Sequence, residues 1–365
     1  MTDTPAAPAV DIDLDALAAN YRFIKAAVAP AECAGVVKCD GYGLGAVETA
    51  RTLVGEGCRN LFVTYPVEAA RLRAALGPGA AIHVFNGVDP SSAGPLRDAG
   101  FVPVLNTLEQ ARLWKQVAPA SAATLHIDTG MNRLGLPLAE VAEVARLSLR
   151  IETVMSHLAS PAPGESPQSE RQRLHFEEAA AAFPDARRSL SASGGALMAR
   201  RFHYDLVRPG IALYGASPFD APDPRLRPVA RLTAPVVQLR EINAGETVGY
   251  GATFAATKRM RLATVALGYG DGLPRAAGSR GSAFLGGALR PILGRVSMDL
   301  IVLDVSGAGA IAIGERAEFF GSNHPAEHAA AAAGTTAYEL FTGLGRRVAR
   351  RYWRGGRLLA EDRLR

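Results

Sequence analysis

VVKCDGYGLGA, residues 36–46, reads as the end of a buried strand, a glycine-rich loop and the start of a helix. Lys38 stands at the strand's carboxyl end and Tyr42 in the loop. The valines suit a pleated, covered surface, and the alternate glycines let the backbone turn sharply. A strand that passes directly into a helix is half of a βα unit, so the fold depends on how often this pattern recurs.

It recurs along the first two-thirds of the chain. Candidate strands lie at Gly35–Lys38, Leu61–Thr64, Ile82–Phe85, Val102–Leu105, Thr124–Asp128, Thr153–His157, Leu190–Ser193 and Leu206–Tyr214, the last broken by Arg208-Pro209-Gly210. Helical segments separate them. Leu14, Leu17, Ala18, Tyr21 and Ile24 form one apolar stripe behind an Asp13 cap, Thr107 precedes LEQARLWKQVA, and Gln168 opens QSERQRLHFEEAAAAF. Eight such units predict an α/β fold with a closed (β/α)8 barrel of the TIM type. An open doubly wound sheet fits the same alternation, and periodicity does not separate the two.

After Tyr214 the texture changes. Pro218, Pro222, Pro224 and Pro228 crowd a short connection, and beyond it strands dominate: Val229–Leu239, Arg261–Leu267, Ala283–Leu285, Ile292–Val296, Leu300–Val305 and Arg316–Phe320, with one helix over Ala326–Gly334. The expected organisation is a barrel over residues 10–220 and a mainly β domain over 221–365, with residues 1–9 packing on the latter.

Composition narrows the class. The chain has 365 residues, 48% hydrophobic and 21% charged, which excludes a disordered protein. Cys33, Cys39 and Cys58 contain no CxxC pair, so neither a disulfide framework nor a cysteine-built zinc site is expected, and a reducing cytoplasmic setting is. Met1–Val10 carries no basic residue or apolar run, so no secretory signal is expected, and no stretch approaches the ~20 apolar residues of a membrane span. The net charge of +5 favours anionic ligands.

Several segments could carry chemistry. A lysine on an apolar strand is costly to bury unless used, and a desolvated amine suits Schiff-base chemistry, although Lys38 could equally snorkel at the strand rim. HIDTGMNRLG, residues 126–135, puts Arg133 in a turn where it could clamp a carboxylate or simply cap a helix. LVRPGIALYG, residues 206–215, puts Arg208 at a strand break with Gly210 and Ile211 beside it, either facing a phosphate or forming a bulge with an ion pair. VGYGATFAA (248–256), GYGDGLPR (268–275) and GRVSMDL (294–300) are explicable as β-turns. Their glycines lack the strand–GxGxxG–helix order of a dinucleotide fingerprint, and no Walker motif is present. His324 and His328 flank a helix start and are not expected to bind metal; the arginines from Arg346 to Arg357 lack the aromatic platform of a nucleic-acid surface, so neither a metal nor a nucleic-acid partner is predicted.

Together, Lys38-Cys-Asp-Gly-Tyr42-Gly, DTGMNRLG, SHLAS (156–160), SASGGAL (191–197), LVRPGIALYG, VGYGATF, GYGDGLPR, GRVSMD and AAAAGTTAYEL (330–340) resemble the alanine racemase family, in its order and along nearly the whole chain. The resemblance implies a barrel that holds pyridoxal 5'-phosphate on Lys38, followed by a β domain. It implies that Lys38 serves as base on the D-alanine face and Tyr250 on the L-alanine face, because a proton must leave one side of Cα and return to the other. Arg208 would face the pyridine nitrogen and keep it unprotonated. Tyr42, Ser193, Gly210 and Ile211 would hold the phosphate, and His157 would lie near the ring. Arg133 and the main chain at Met298 would take the substrate carboxylate, and Tyr269 would stand at its entry.

The implied activity interconverts L- and D-alanine and supplies D-alanine for peptidoglycan, in a homodimer whose sites are each shared between two chains. Three positions depart from common family patterns: Leu44 where many members carry histidine, Arg346 where some place a phosphate-binding tyrosine, and His126 where some have a lysine that orients the arginine corresponding to Arg133. The alternatives are a pyridoxal-phosphate-binding regulatory module without turnover, and a racemase of another small amino acid such as serine. A decarboxylase of related architecture would have a carboxylate at the pyridine nitrogen instead of Arg208.

Overall fold

Seven strands run parallel and in chain order: Gly35–Val36, Asn60–Val63, Ala81–Val84, Val102–Leu105, Ala123–His126, Ile151–Met155 and Arg187–Ser189. They belong to a computed structural model that describes residues 7–162, 164 and 166–362. An eighth strand, Leu206–Val207, bonds on both sides. The Asp205 and Arg208 amides donate to the Arg188 and Ser191 carbonyls at 3.0 and 2.8 Å, while the Glu32 and Ala34 amides donate to Asp205 and Val207 at 2.8 and 2.9 Å. This strand closes the ring, so the fold is a TIM-type barrel and not an open sheet.

The chain divides into two compact units, one of Ala18–Leu213 and the other of the beginning of the chain through Leu17 together with Tyr214 onward. The predicted cap is present, since Asp13 Oδ1 accepts the amides of Asp15 and Ala16, both at 2.9 Å. All five residues of the stripe behind it are buried. Thr107 caps its helix by accepting the Gln110 amide at 3.2 Å. The helix expected from Gln168 starts at Pro167, where a missing N–H costs nothing, and Ser166 is its cap.

Three predicted barrel strands need correction. The first stops at Val36, and Lys38 already opens a turn. The seventh is Arg187–Ser189, because Arg187 enters the sheet paired with Glu32 at 2.9 Å while Ser193 starts a short helix. The eighth ends at Val207: Pro209 has no amide to donate, and Ile211–Tyr214 coils into a 3-10 turn.

Nearer the amino ends of the strands the barrel interior is polar and fully paired. His83 is buried and stacks on Phe62 with centroids 4.3 Å apart. Its Nε2 meets Asn60 Oδ1 at 2.9 Å and its Nδ1 meets the Thr124 hydroxyl at 3.2 Å. Asn60 in turn donates to Glu32 at 2.6 Å, which uses the Asn60 amide and leaves Oδ1 as the acceptor, so the hydrogen of His83 sits on Nε2.

The second unit contains a nine-stranded, mainly antiparallel sheet in the order Met260–Val265, Ile301–Asp304, Ala288–Leu293, Ser282–Leu285, Arg316–Phe320, Ala230–Ile242, Ala9–Asp13, Ala349–Arg354 and Arg357–Asp362. Ala230–Ile242 also pairs with Met260–Val265, so its first six strands curl back on themselves. Ala9–Asp13 was not expected as a strand, nor was the terminal hairpin. Two of the late arginines are bonded within the fold. Arg351 donates to Asp11 at 2.8 Å, and Arg350 donates to the carbonyls of Leu344, Gly345 and Val348. A second short helix, Ala337–Thr342, follows the predicted one at Ala326–Ala332.

Candidate active site

Immediately after Lys38 the backbone enters the left-handed region and stays there, with φ of 54° at Cys39, 50° at Asp40, 63° at Gly41 and 58° at Tyr42. Only Gly41 takes this conformation without steric cost. The turn bonds within itself, the Gly41, Gly43 and Gly45 amides donating to Val37, Cys39 and Asp40 at 2.9, 2.8 and 2.8 Å. It carries Lys38 at one end and the buried Tyr42 at the other. The Tyr42 hydroxyl fills the space where a Cβ on Gly210 would stand. Ser193 Oγ accepts the Gly210 amide at 2.8 Å and the Ala212 amide at 3.3 Å. Tyr42, Ser193, Gly210 and Ile211, distant in sequence, thus gather where hydroxyls and main-chain amides can hold a phosphate.

Arg208 is buried at 1% exposure. Its Nη1 donates to the Ser189 carbonyl at 2.9 Å and also to the Ser189 hydroxyl, and its Nη2 donates to the Ser156 carbonyl at 2.6 Å. Neutral oxygens replace the usual carboxylate: among the described residues no acid lies within ion-pair distance of it. Burial pulls its pKa down to about 9, still above neutrality, so the charge is kept. Of the two readings of Arg208, the bulge with an ion pair is not what forms; the charge is held on carbonyl and hydroxyl oxygens.

That charge is felt nearby. Burial, then Arg208 and Arg133, depress His157 to about 3, so its ring is neutral at ordinary pH. His126 is depressed to about 3, chiefly by burial and then by Arg208. Its Nδ1 meets Asn106 Oδ1 at 2.9 Å, while the Asn106 amide donates to the Phe85 and Val104 carbonyls at 2.9 and 2.7 Å. The amide orientation leaves Oδ1 as acceptor and puts the His126 hydrogen on Nδ1. His126 offers no negative charge to Arg133.

Lys38 is half-buried, with Nζ 5.7 Å from the Phe85 ring centroid. Burial and then the Arg133 guanidinium lower its pKa, the direction that suits nucleophilic or basic work. Arg133 is exposed at the tip of a loop braced by Asp128, whose Oδ1 accepts the Gly130 and Met131 amides, both at 2.8 Å. The loop closes through the Leu136 amide on the His126 carbonyl at 2.7 Å, and Gly135, at φ +121°, passes too close to Asp128 for any side chain. Arg133 has no acidic partner among the described residues. Lys38, Arg133 and Arg208 thus gather positive charge that an anionic ligand would balance.

Tyr250, Tyr269 and Met298 belong to the other unit and are all exposed. Tyr250 starts a tight turn between Gly249 and Gly251, at φ 75° and 74°, and the Arg295 guanidinium lies 3.1 Å from where a Gly251 Cβ would be. Tyr269 and Met298 are bound to one another's segments, because the Tyr269 and Gly270 amides donate to the Ser297 and Met298 carbonyls at 3.0 and 2.9 Å. Buried Asp271 accepts the Gly268 amide at 2.9 Å and Arg347 Nε at 3.0 Å, and Arg347 reaches on to Asp299 at 2.7 Å.

Sequence reasoning missed Asp271, Arg347, Glu68 and Gln172. Gln172 is buried and donates to the His157 carbonyl at 2.9 Å and to Thr129 at 3.3 Å. Of the three departures, Leu44 is fully buried and Arg346 is exposed.

A closed barrel whose strand ends bring together a lysine of lowered basicity and a carbonyl-bound arginine has the architecture of the barrel enzymes. Family models agree: residues 12–218 match "Alanine racemase, N-terminal domain" and residues 229–352 match "Alanine racemase, C-terminal domain". The chain is 43% identical to a Rhizobium johnstonii protein named "Alanine racemase, catabolic", covering 93% of each, and 42% identical to an alanine racemase of Methylobacterium nodulans, covering 96% of this chain and 97% of that one. Among solved structures, alanine racemase of Bartonella henselae with covalently bound pyridoxal phosphate superposes with a TM-score of 0.91 at 34% identity, over 96% of this chain and all of the other. The chain belongs to the alanine racemase family and is an isomerase. Among its described residues no helix is long and apolar enough to cross a membrane.

Proposed function

We propose that this protein binds pyridoxal phosphate on Lys38 and interconverts L- and D-alanine with two bases. Arg208 is the observation that carries the proposal. A buried guanidinium held by three neutral oxygens keeps its protons and donates readily, but it cannot supply the negative charge that would stabilise a protonated ring nitrogen. Such a site suits a reaction that must return the proton to Cα and not pass it to the cofactor.

The residues fit the cofactor. Tyr42, Ser193 and the main chain at Gly210 and Ile211 would hold the phosphate, His157 would face the ring as a neutral imidazole, and Arg208 would meet the pyridine nitrogen. When bound, pyridoxal phosphate supplies an electron sink that makes the Cα proton of an amino acid removable. Arg133, exposed and without an acidic partner among the described residues, would take the substrate carboxylate together with the main chain at Met298, and Tyr269 would stand at the entry. Lys38, its basicity lowered by burial, would move the proton on the D-alanine face. Tyr250 of the partner subunit would serve the L-alanine face, making the working form a homodimer.

The physiological direction is supply of D-alanine for peptidoglycan. Relatives named catabolic support a second reading, in which the same interconversion serves the breakdown of alanine. The deciding experiment is a chiral assay of the purified protein on D- and L-alanine, serine and lysine, with borohydride reduction and peptide mapping. Equal final amounts of the two alanine enantiomers and phosphopyridoxyl on Lys38 are expected. The label on another lysine would overturn the cofactor assignment, and turnover of serine in preference to alanine would overturn the substrate.

A further inference from the structure

Glu68 holds the turn that follows Lys38. It sits in the first turn of the helix Pro66–Leu76, where its Oε2 accepts the Thr64 and Tyr65 amides at 2.7 and 3.0 Å, the ordinary work of a capping carboxylate. Its second oxygen does something else. Oε1 accepts the amide of Cys39, 29 residues away, at 2.6 Å. Cys39 is the first left-handed residue after Lys38, so this bond fixes the place where the chain leaves its ordinary conformation. The same helix touches the turn again through Arg71, which meets Asp40 at 3.1 Å in an exposed pair of smaller weight.

We infer that Glu68 is a positioning residue of the racemase reaction, holding the left-handed turn so that Lys38 at its start and Tyr42 at its end stay in fixed relation. The inference rests on the proposed use of Lys38. Three non-glycine residues in the left-handed region do not remain there unless their surroundings over-determine them, and a charged acceptor on the first amide is a strong restraint on the turn from outside.

Glu68→Gln separates the two jobs. Glutamine has one acceptor oxygen, which satisfies more donors by facing the Thr64 and Tyr65 amides; its NH2 then opposes the Cys39 amide, so the cap survives and the tether is lost. The holoenzyme variant should melt close to the unaltered protein, with kcat down about tenfold, KM for alanine unchanged and a weaker visible band from the Lys38-linked cofactor. Adding Cys39→Gly, which takes a positive φ without steric cost, should restore much of the band and of kcat. Unchanged kcat and spectrum in Glu68→Gln overturn the inference. So does a double variant as impaired as the single one, since the loss then does not come from the left-handed turn that Cys39 begins. If the unaltered protein carries no reducible linkage on Lys38, it is the proposed function that fails, before any variant is compared.

Discussion

The Tyr42 hydroxyl occupies the space in which a side chain at position 210 would begin. Gly210 also gives its amide to Ser193 Oγ at 2.8 Å, so one residue without a side chain lets two hydroxyls reach the same place. Gly210→Ala should therefore expel the Tyr42 ring from its seat, costing about 2 kcal/mol of stability by overpacking. Pyridoxal phosphate affinity should fall at least about tenfold, because the phosphate loses an oriented donor. Fluorescence titration of the apoprotein checks it, and an affinity equal to that of the unaltered protein would show that Tyr42 does not touch the phosphate.

Arg208→Glu is expected to change both stability and product. The new carboxylate would face the Ser189 and Ser156 carbonyl oxygens that now receive hydrogen bonds, so the cofactor-free variant should lose about 3 kcal/mol. A carboxylate there would also favour a protonated ring nitrogen. Racemisation should slow while pyruvate, the mark of transamination, rises per turnover. A chiral assay run beside a pyruvate assay decides, and an unchanged ratio of the two products would remove Arg208 from the ring.

Acid should destabilise this protein through histidines that are neutral in the fold. His83 and His126 both have folded values near 3, chiefly because they are buried, against an unfolded value of 6.5. Between those limits the unfolded chain binds protons that the folded chain refuses. Their contribution is complete above pH 6.5 and is lost as pH falls toward 3, at about 1.4 kcal/mol per pH unit for each histidine. His83→Gln should reduce the slope of unfolding free energy against pH by one proton. Urea melts at pH 5 and pH 7 would show it, and an unaltered slope would mean that His83 is already charged in the fold.

What the sequence disclosed follows from how each part is held. Strands such as Asn60–Val63 and Ala123–His126 are covered on both faces and announce themselves as apolar runs. Arg187–Ser189 does not, because its arginine enters the sheet on an ion pair with Glu32, a residue 155 positions away. The hairpin of Ala349–Arg354 and Arg357–Asp362 was hidden by its arginines, although Gly355-Gly356, at φ 55° and 72°, is the two-residue turn that should have revealed it. Lys38, Arg208 and Tyr250 could be singled out as candidates because their motifs are local. Glu68 and Arg347 were not: the first acts on a main-chain amide, which leaves no trace in a side-chain pattern, and the second on Asp271 and Asp299 from well over forty residues beyond them.

The proposal that two chains share each site can be tested by complementation. Lys38 lies in the barrel unit and Tyr250, exposed at 72%, on a turn of the other. If each site of a two-fold dimer takes Lys38 from one chain and Tyr250 from its partner, then Lys38→Ala and Tyr250→Phe homodimers both lack a base at every site. Neither should racemise efficiently. Mixing changes the count. In a heterodimer of the two variants, one site joins the intact lysine of the Tyr250→Phe chain to the intact tyrosine of the Lys38→Ala chain, and the other site lacks both. The heterodimer should then recover about half the activity of the unaltered dimer, from its single complete site. Differently tagged chains, exchanged and purified through both tags, give the species to be assayed, and native mass confirms its composition. A verified heterodimer as inactive as its parents would mean that Tyr250 acts within its own chain or takes no part in the proton transfer.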